Sequence, residues 1–111
     1  MDLLPQKANC IIFVLPFQKL SFMTKNESIK ELMQIPSVGI SIANDLWNIG
    51  IQSINDLEGQ DPEVLYDRSN KHAATVQDRC LLYTFRCAVY FASTPDCARK
   101  PELLKWWNWK K

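Results

Sequence analysis

Apolar residues recur at helical spacing on both sides of a short segment that holds one proline and one glycine. Before this segment, Ile29, Leu32 and Met33 lie three or four positions apart, which places them on one face of a helix. Pro36 ends that helix because it has no backbone N–H and restricts the residue before it. Gly39 permits a tight turn. A second amphipathic helix follows, and its apolar face is formed by Ile42, Ala43, Leu46, Trp47 and Ile49.

Further helices are predicted after Gly50, where the second helix ends. Ser53 begins a short helix, with Asp56 at the third helical position, close to a capping box. Another helix begins at Asp61-Pro62-Glu63, where the aspartate caps and the proline takes the first helical position. The longest helix is predicted over about residues 74–92 and is apolar on most sides, which indicates a central, buried element.

The chain ends in a last short helix or extended tail that starts at Pro101. Segments in which apolar and polar residues alternate are scarce, so a β-sheet is not expected. Most of the prolines and glycines fall at predicted helix boundaries. The sequence therefore predicts an all-α fold: two helices around a hairpin, short helices, a long central helix and a tryptophan-rich C-terminal segment.

Residues 1–22 differ from the rest of the chain. A short apolar run, residues 10–15, is ended by Pro16. It has three interpretations: a membrane-leaning segment, an added strand, or an artefact of the assigned start of translation. Because Met23 opens a segment that resembles a natural start, we expect residues 1–22 to be a weakly packed extension and residues 23–111 to form a single domain.

Length and composition fit one folded domain. The chain has 111 residues, of which 47% are apolar, enough for a single modest core and too many for a disordered chain. The N-terminus does not resemble a signal peptide, and no stretch reaches the ~20 apolar residues of a membrane helix. We therefore expect a cytoplasmic protein with reduced cysteines and no membrane contact.

Charge is divided unevenly along the chain. Residues 24–70 hold three basic and eight acidic residues, a net charge of −5, whereas residues 71–111 hold eight basic and three acidic residues, a net charge of +5. DNA affinity comes largely from neutralising phosphates with lysine and arginine. The half with the hairpin should therefore bind DNA poorly alone, and a nucleic-acid surface needs the basic half beside it.

Cysteine and histidine do not form a recognisable metal or catalytic pattern. Cys80 and Cys87 are two helical turns apart, roughly 10 Å along a straight helix, too far to share one metal ion. His72 is the only histidine, and no oxyanion-hole motif accompanies it and Cys80. A disulfide from Cys97 to one of the other two is conceivable only under oxidising conditions. We expect no enzyme activity, no metal, no cofactor and no small-molecule substrate.

Two interpretations of the tryptophan-rich ending stay open. Trp106, Trp107 and Trp109 are flanked by Lys105, Lys110 and Lys111. Aromatic rings stack on bases, and lysines contact phosphates. Alternatively, two of the tryptophans fold back to close the core, and the lysines are solvated. The second interpretation is favoured, because a small helical domain needs the buried area.

The proline–glycine segment resembles the hairpin of the helix-hairpin-helix superfamily, whose members mostly hold DNA without reading its sequence. The resemblance implies that the backbone amides of about Val38 to Ser41, at the head of the second helix, point at a phosphate. This is physically sound, because the first amides of a helix have no partner within it and the helix dipole favours an anion. This chain departs from the superfamily pattern in two ways. Ser37 replaces the usual first glycine, and Ile40 and Ser41 stand where lysine or arginine is frequent.

The second half of the chain carries a more specific resemblance. Three of its segments are similar to the bacterial pathogenicity locus family of small helix-hairpin-helix proteins. These segments are Asp78-Arg79-Cys80, Arg86-Cys87-Ala88-Val89-Tyr90-Phe91-Ala92 and the ending Pro101-Glu102-Leu103-Leu104-Lys105-Trp106-Trp107-Asn108-Trp109-Lys110. The resemblance covers about residues 28–110. It implies the fold and a DNA-binding role, and it implies no enzymatic activity.

The leading hypothesis is sequence-independent DNA binding through the hairpin. The alternative is a protein–protein interaction module, in which the hairpin is only structural and the acidic face meets a partner. The DNA hypothesis uses the hairpin residues Ser37, Val38, Gly39, Ile40 and Ser41, with electrostatic support from Lys71, Arg99, Lys100, Lys105, Lys110 and Lys111.

Overall fold

A computed structural model describes residues 24–110, which fold into helices joined by short turns. No β-strand occurs in this range, which confirms the predicted all-α class. The predicted extension, residues 1–22, lies outside the described residues, as does Lys111. The five α-helices are α1 (Lys25–Leu32), α2 (Ile40–Asn48), α3 (Ile54–Leu57), α4 (Pro62–Ala73) and α5 (Arg79–Ser93). Three short 3-10 helices follow at Asp96–Ala98, Pro101–Leu104 and Trp106–Trp109.

A capping box begins α1. The Thr24 hydroxyl accepts the N–H of Glu27 at 3.2 Å, and the Glu27 carboxylate accepts the N–H of Thr24 at 2.9 Å. Two otherwise unpaired donors are thereby satisfied at the exposed end of the helix. Ile29 and Leu32 are buried on the opposite side, and α1 packs on α2.

The turn between α1 and α2, residues 33–39, is anchored in the core. The N–H of Ile35 donates to the Leu32 carbonyl at 3.1 Å, and the N–H of Val38 donates to the Ile35 carbonyl at 3.1 Å. The side chains of Ile35 and Val38 are 1% and 5% exposed. Buried apolar side chains thus fix the direction in which the chain enters α2.

Gly50 ends α2, as the sequence predicts. It has a φ of 98°, and its N–H donates to the Trp47 carbonyl at 3.0 Å. The N–H of Ile51 donates to the Leu46 carbonyl at 3.0 Å, which completes a Schellman motif. Arg68, from α4, donates to the Ile49 carbonyl at 2.6 Å and ties the end of α2 to α4.

The long central helix begins later than the sequence indicates. A helix over 74–92 is predicted, but α4 continues to Ala73 and α5 begins only at Arg79. Ala74 ends α4 in the left-handed conformation, with a φ of 59°, and Asp78 caps α5 by accepting the N–H of Cys80 at 2.8 Å. The prediction was wrong because it rested on apolar spacing and missed these local stop and start signals.

The helix α5 is the centre of the molecule, packed against α3, α4 and the C-terminal 3-10 helices. Arg86 joins three of these elements. It forms an ion pair with Glu63 of α4 at 2.7 Å and donates to the Trp109 carbonyl at 2.7 Å. This ion pair ties α5 to the acidic half of the chain. The fully buried residues of α5 are Leu82, Phe85, Cys87 and Ala88.

The tryptophans of the C-terminal segment lie along α5 without entering the core. Trp109 is half-buried, contacts Tyr90 with ring centroids 5.6 Å apart, and donates its indole N–H to the Leu103 carbonyl at 2.8 Å. Trp107 is 50% exposed. Trp106 is half-buried, and its ring meets that of Trp107 edge-on at 5.8 Å.

Candidate nucleic-acid interface

Four consecutive backbone amides at the start of α2, those of residues 39–42, have no acceptor among residues 24–110, and three of them belong to exposed residues. The N–H groups of Gly39, Ile40 and Ser41 have no acceptor among residues 24–110, because the first amide of this region to bond is that of Ala43, to the Gly39 carbonyl. All three residues are exposed. Free amides at a helix start carry partial positive charge and favour an anion.

The other two predicted hairpin residues lie differently. The amide of Val38 is used within the turn and its side chain is in the core. Ser37 is exposed and has a φ of 75°, the left-handed region that favours glycine.

We expect Ser37→Gly to raise the free energy of unfolding by about 0.5–1 kcal/mol, since glycine removes the steric cost of the left-handed conformation. The serine hydroxyl makes only a long hydrogen bond, 3.4 Å to the Leu104 carbonyl, which the variant loses. Urea unfolding of the two proteins measures the difference. A lower stability of the glycine variant would show that the hydroxyl contact outweighs the backbone strain.

The turn lies directly against the basic C-terminal segment. Besides the Ser37–Leu104 contact, the buried thiol of Cys87 lies 3.9 Å from the Pro36 carbonyl and 3.6 Å from the Leu103 carbonyl. Lys105 follows Leu104 in the chain and is exposed. The fold therefore brings part of the basic half beside the free amides, although the turn itself belongs to the acidic half.

The predicted basic residues differ in their availability. Lys100, Lys105 and Lys110 are exposed and have no acidic partner within the described residues. Lys71 forms an exposed ion pair with Asp67 at 3.3 Å. Such surface pairs are weak and exchange readily with other anions.

The Arg99 side chain is occupied by contacts within the protein. Its guanidinium donates to the carbonyls of Phe91 and Thr94 at 3.0 Å each and pairs with Asp96 at 3.0 Å. It also stacks on the Phe91 ring, with its central carbon 3.6 Å from the ring centroid. This arginine holds the end of α5 and its following loop together, and it is a poor candidate for a phosphate contact.

A groove of about 390 Å³ opens beside the turn. Its walls include Trp106, the carboxylates of Asp45 and Asp78, and Ile42 of α2. Sequence reasoning missed it, since its walls come from segments far apart in the chain. Its lining residues are Ser37, Ile42, Asp45, Gln77, Asp78, Cys80, Leu81, Thr84 and Trp106.

The two carboxylates of the groove have different environments. Burial raises the pKa of Asp45 above its ordinary value, and the neighbouring His72 partly opposes the rise. The pKa of Asp78 is lowered, chiefly because its carboxylate accepts the backbone N–H of Cys80. Asp78 is therefore occupied as a helix cap, whereas Asp45 accepts no hydrogen bond from the described residues.

We expect Asp45→Asn to stabilise the protein at neutral pH and to have no such effect in acid. Burial raises the pKa of this carboxyl in the folded state. The contribution of the carboxyl to the free energy of unfolding is therefore fully present below the unfolded-state pKa, where the group is protonated. This contribution is lost as pH rises through the folded-state pKa and the buried group becomes charged. The amide resembles the protonated acid at every pH. Thermal midpoints of both proteins at neutral pH and well below pH 3.8 test this. An equal difference at both pH values would contradict it.

The thiols and the histidine do not meet in one place. Burial raises the pKa of the Cys87 thiol, with a smaller opposing effect of Ser37, whereas Cys80 and Cys97 are exposed free cysteines. His72 lies near the end of α4. Between residues 24 and 110, no group of three or more His, Cys, Asp or Glu side chains is arranged to hold a metal ion.

Comparison with known families assigns the chain. The family model described as Pathogenicity locus (Cdd1) matches residues 25–111. The chain belongs to this family. The resemblance to the pathogenicity locus family that the sequence predicts is thereby confirmed. No curated protein and no solved structure matches the chain.

The turn, the groove and the tryptophan segment of this pathogenicity locus protein all lie within the matched range. Both the free amides and their basic neighbours are therefore parts of the family domain. Over the described range, no helix of the protein is both long enough and apolar enough to cross a membrane.

Proposed function

We propose that this protein binds DNA without reading its sequence, with α1, the turn and α2 acting as a helix-hairpin-helix. One observation carries the proposal: the amides of three consecutive exposed residues, Gly39, Ile40 and Ser41, are unpartnered within the described residues. An oxygen anion placed at this helix start receives hydrogen bonds and favourable dipole interaction together. Backbone phosphate is such an anion, and it carries no sequence information.

Electrostatics support the same surface. Neutral amides position a phosphate, but much of the affinity of a DNA-binding protein comes from lysine and arginine. Lys105 lies beside the turn through the contact of Ser37 with Leu104, and Lys100 and Lys110 are exposed on the same C-terminal segment. The net charge of +5 over residues 71–111 offsets the acidic half that carries the turn.

The proposed activity is binding alone, and no catalytic step is assigned to any residue. We place the protein in the bacterial cytoplasm, where DNA is accessible and where the reducing environment keeps cysteines as thiols. No cofactor or metal enters this proposal.

Fluorescence anisotropy with labelled duplex and single-stranded DNA, at two salt concentrations, tests the proposal. With about three lysines on the phosphates, the logarithm of the association constant should fall with the logarithm of salt concentration with a slope of about −2 to −3. Duplexes of unrelated sequence should bind with similar affinity. Absence of binding at low salt would overturn the proposal.

A protein-interaction module is the second candidate. Ile40 is 63% exposed in the middle of the same surface, and an exposed apolar side chain is a common feature of protein contacts. In that case the turn is structural and the acidic half faces a partner. A mainly apolar contact would weaken little as salt rises, which separates it from phosphate binding.

A further inference from the structure

The groove beside the turn combines an aromatic wall with unused hydrogen-bonding groups. Its volume of about 390 Å³ lies within the range of small-ligand sites. The indole of Trp106 forms one wall, and the apolar side chains of Ile42 and Leu81 contribute others. A planar aromatic ligand fits this combination, because stacking on an aromatic side chain is favourable for any flat π-system.

Polar groups in the groove match a ligand that carries an amino group. The Asp45 carboxylate is half-buried and receives no hydrogen bond from the described residues. The indole N–H of Trp106 likewise has no acceptor within residues 24–110, in contrast to that of Trp109. Carboxylates accept hydrogen bonds from the exocyclic amino groups of bases, as they do from cytosine.

The position of the groove connects it to the free amides. Ser37 and Ile42 line the groove, and the amides of Gly39, Ile40 and Ser41 lie between these two residues in the chain. A phosphate held by the amides therefore has its own nucleotide next to the groove. Lys105 immediately precedes Trp106 and supplies positive charge at the same place.

We propose that the groove binds one unpaired nucleobase with an exocyclic amino group, stacked on Trp106 and hydrogen-bonded to Asp45. This inference rests on the proposed function, since the amides must hold the adjoining phosphate. A base within a duplex is paired and stacked and does not reach such a groove without being extruded. The protein therefore prefers single-stranded over duplex DNA, and cytosine-containing over thymine-containing strands.

Short oligodeoxycytidine and oligothymidine of equal length, together with a duplex, test the groove in anisotropy titrations at fixed salt. For the wild type we expect about five- to tenfold tighter binding of oligodeoxycytidine than of oligothymidine. Asp45→Asn should abolish this preference. Trp106→Ala should weaken binding of both single strands about tenfold and leave duplex binding unchanged.

Matched variants separate stacking from loss of structure. Trp106→Phe keeps an aromatic face and should restore most of the single-strand affinity. Trp107→Ala removes the neighbouring, half-exposed tryptophan and should change nothing. Circular dichroism of each variant checks that the helices are intact.

Each other result has a distinct meaning. If duplex DNA binds but Trp106→Ala and Asp45→Asn leave every affinity unchanged, the groove proposal is overturned and the proposed function stands. If no DNA binds at all, both are overturned. A third result is that an oligolysine peptide binds the wild type but neither variant, while oligodeoxycytidine and oligothymidine bind equally. This result would identify the groove as a cation site and overturn the nucleobase proposal.

Discussion

Ile40→Pro is expected to weaken DNA binding by about ten- to a hundredfold while the protein folds normally. The substitution removes one of the three unpartnered amides of exposed residues, and a hydrogen bond to a charged group contributes about 1.5–3 kcal/mol. Proline suits the first position of a helix, where Ile40 stands. Gly39 has φ −93° and ψ −171°, an extended conformation that is compatible with a following proline.

Ile40→Ala is the matched control. It removes the same exposed side chain but retains the amide, so its DNA affinity should equal that of the wild type within about a factor of two. Anisotropy titrations of the three proteins at one low salt concentration provide the comparison. Equal binding by the proline and alanine variants would show that the Ile40 amide does not contact the phosphate. Weaker binding by both would assign the effect to the side chain and favour the protein-interaction alternative.

Arg86→Met is expected to lower the free energy of unfolding by about 2–3 kcal/mol. The arginine side chain is 18% exposed, donates to the Trp109 carbonyl at 2.7 Å and pairs with Glu63 at 2.7 Å. Methionine retains the apolar stem but leaves the carbonyl without this charged donor. Urea unfolding measures the loss, and limited proteolysis should show earlier cleavage after the end of α5.

Glu63→Gln separates the ion pair of Arg86 from its bond to the Trp109 carbonyl. It removes the ion pair and leaves the bond to the Trp109 carbonyl. Because the Glu63 side chain is 58% exposed, its loss should cost less than about 1 kcal/mol. Equal losses from the two variants would contradict the view that this arginine acts mainly by fastening the tryptophan segment to α5.

Local chemistry explains the parts of the fold that the sequence predicts well. The end of α2 at Gly50 and the caps at Ser53 and Asp61 each depend on a few neighbouring residues. These residues have the same preferences in any context, because capping and left-handed turns are local events. The all-α class follows from the same helical periodicity.

Features that depend on contacts between distant residues were not predictable in the same way. The groove combines Asp45, Asp78 and Trp106, which are separated by more than one helix along the chain. Arg99 has the composition of a phosphate ligand, but tertiary contacts with Phe91 and Asp96 occupy it. Charge counting identifies a basic half of the chain. Only the packed structure distinguishes its exposed basic side chains from those that are occupied by contacts within the protein.

The most direct measurement follows the backbone amide chemical shifts of isotope-labelled protein as duplex DNA is added. If the turn holds a phosphate, the largest shifts should occur at Gly39, Ile40 and Ser41. The amide of Val38, already bonded to the Ile35 carbonyl, should move less and serves as an internal reference. Bound DNA that leaves those three amides unmoved, with the shifts confined to another surface, would contradict the proposal.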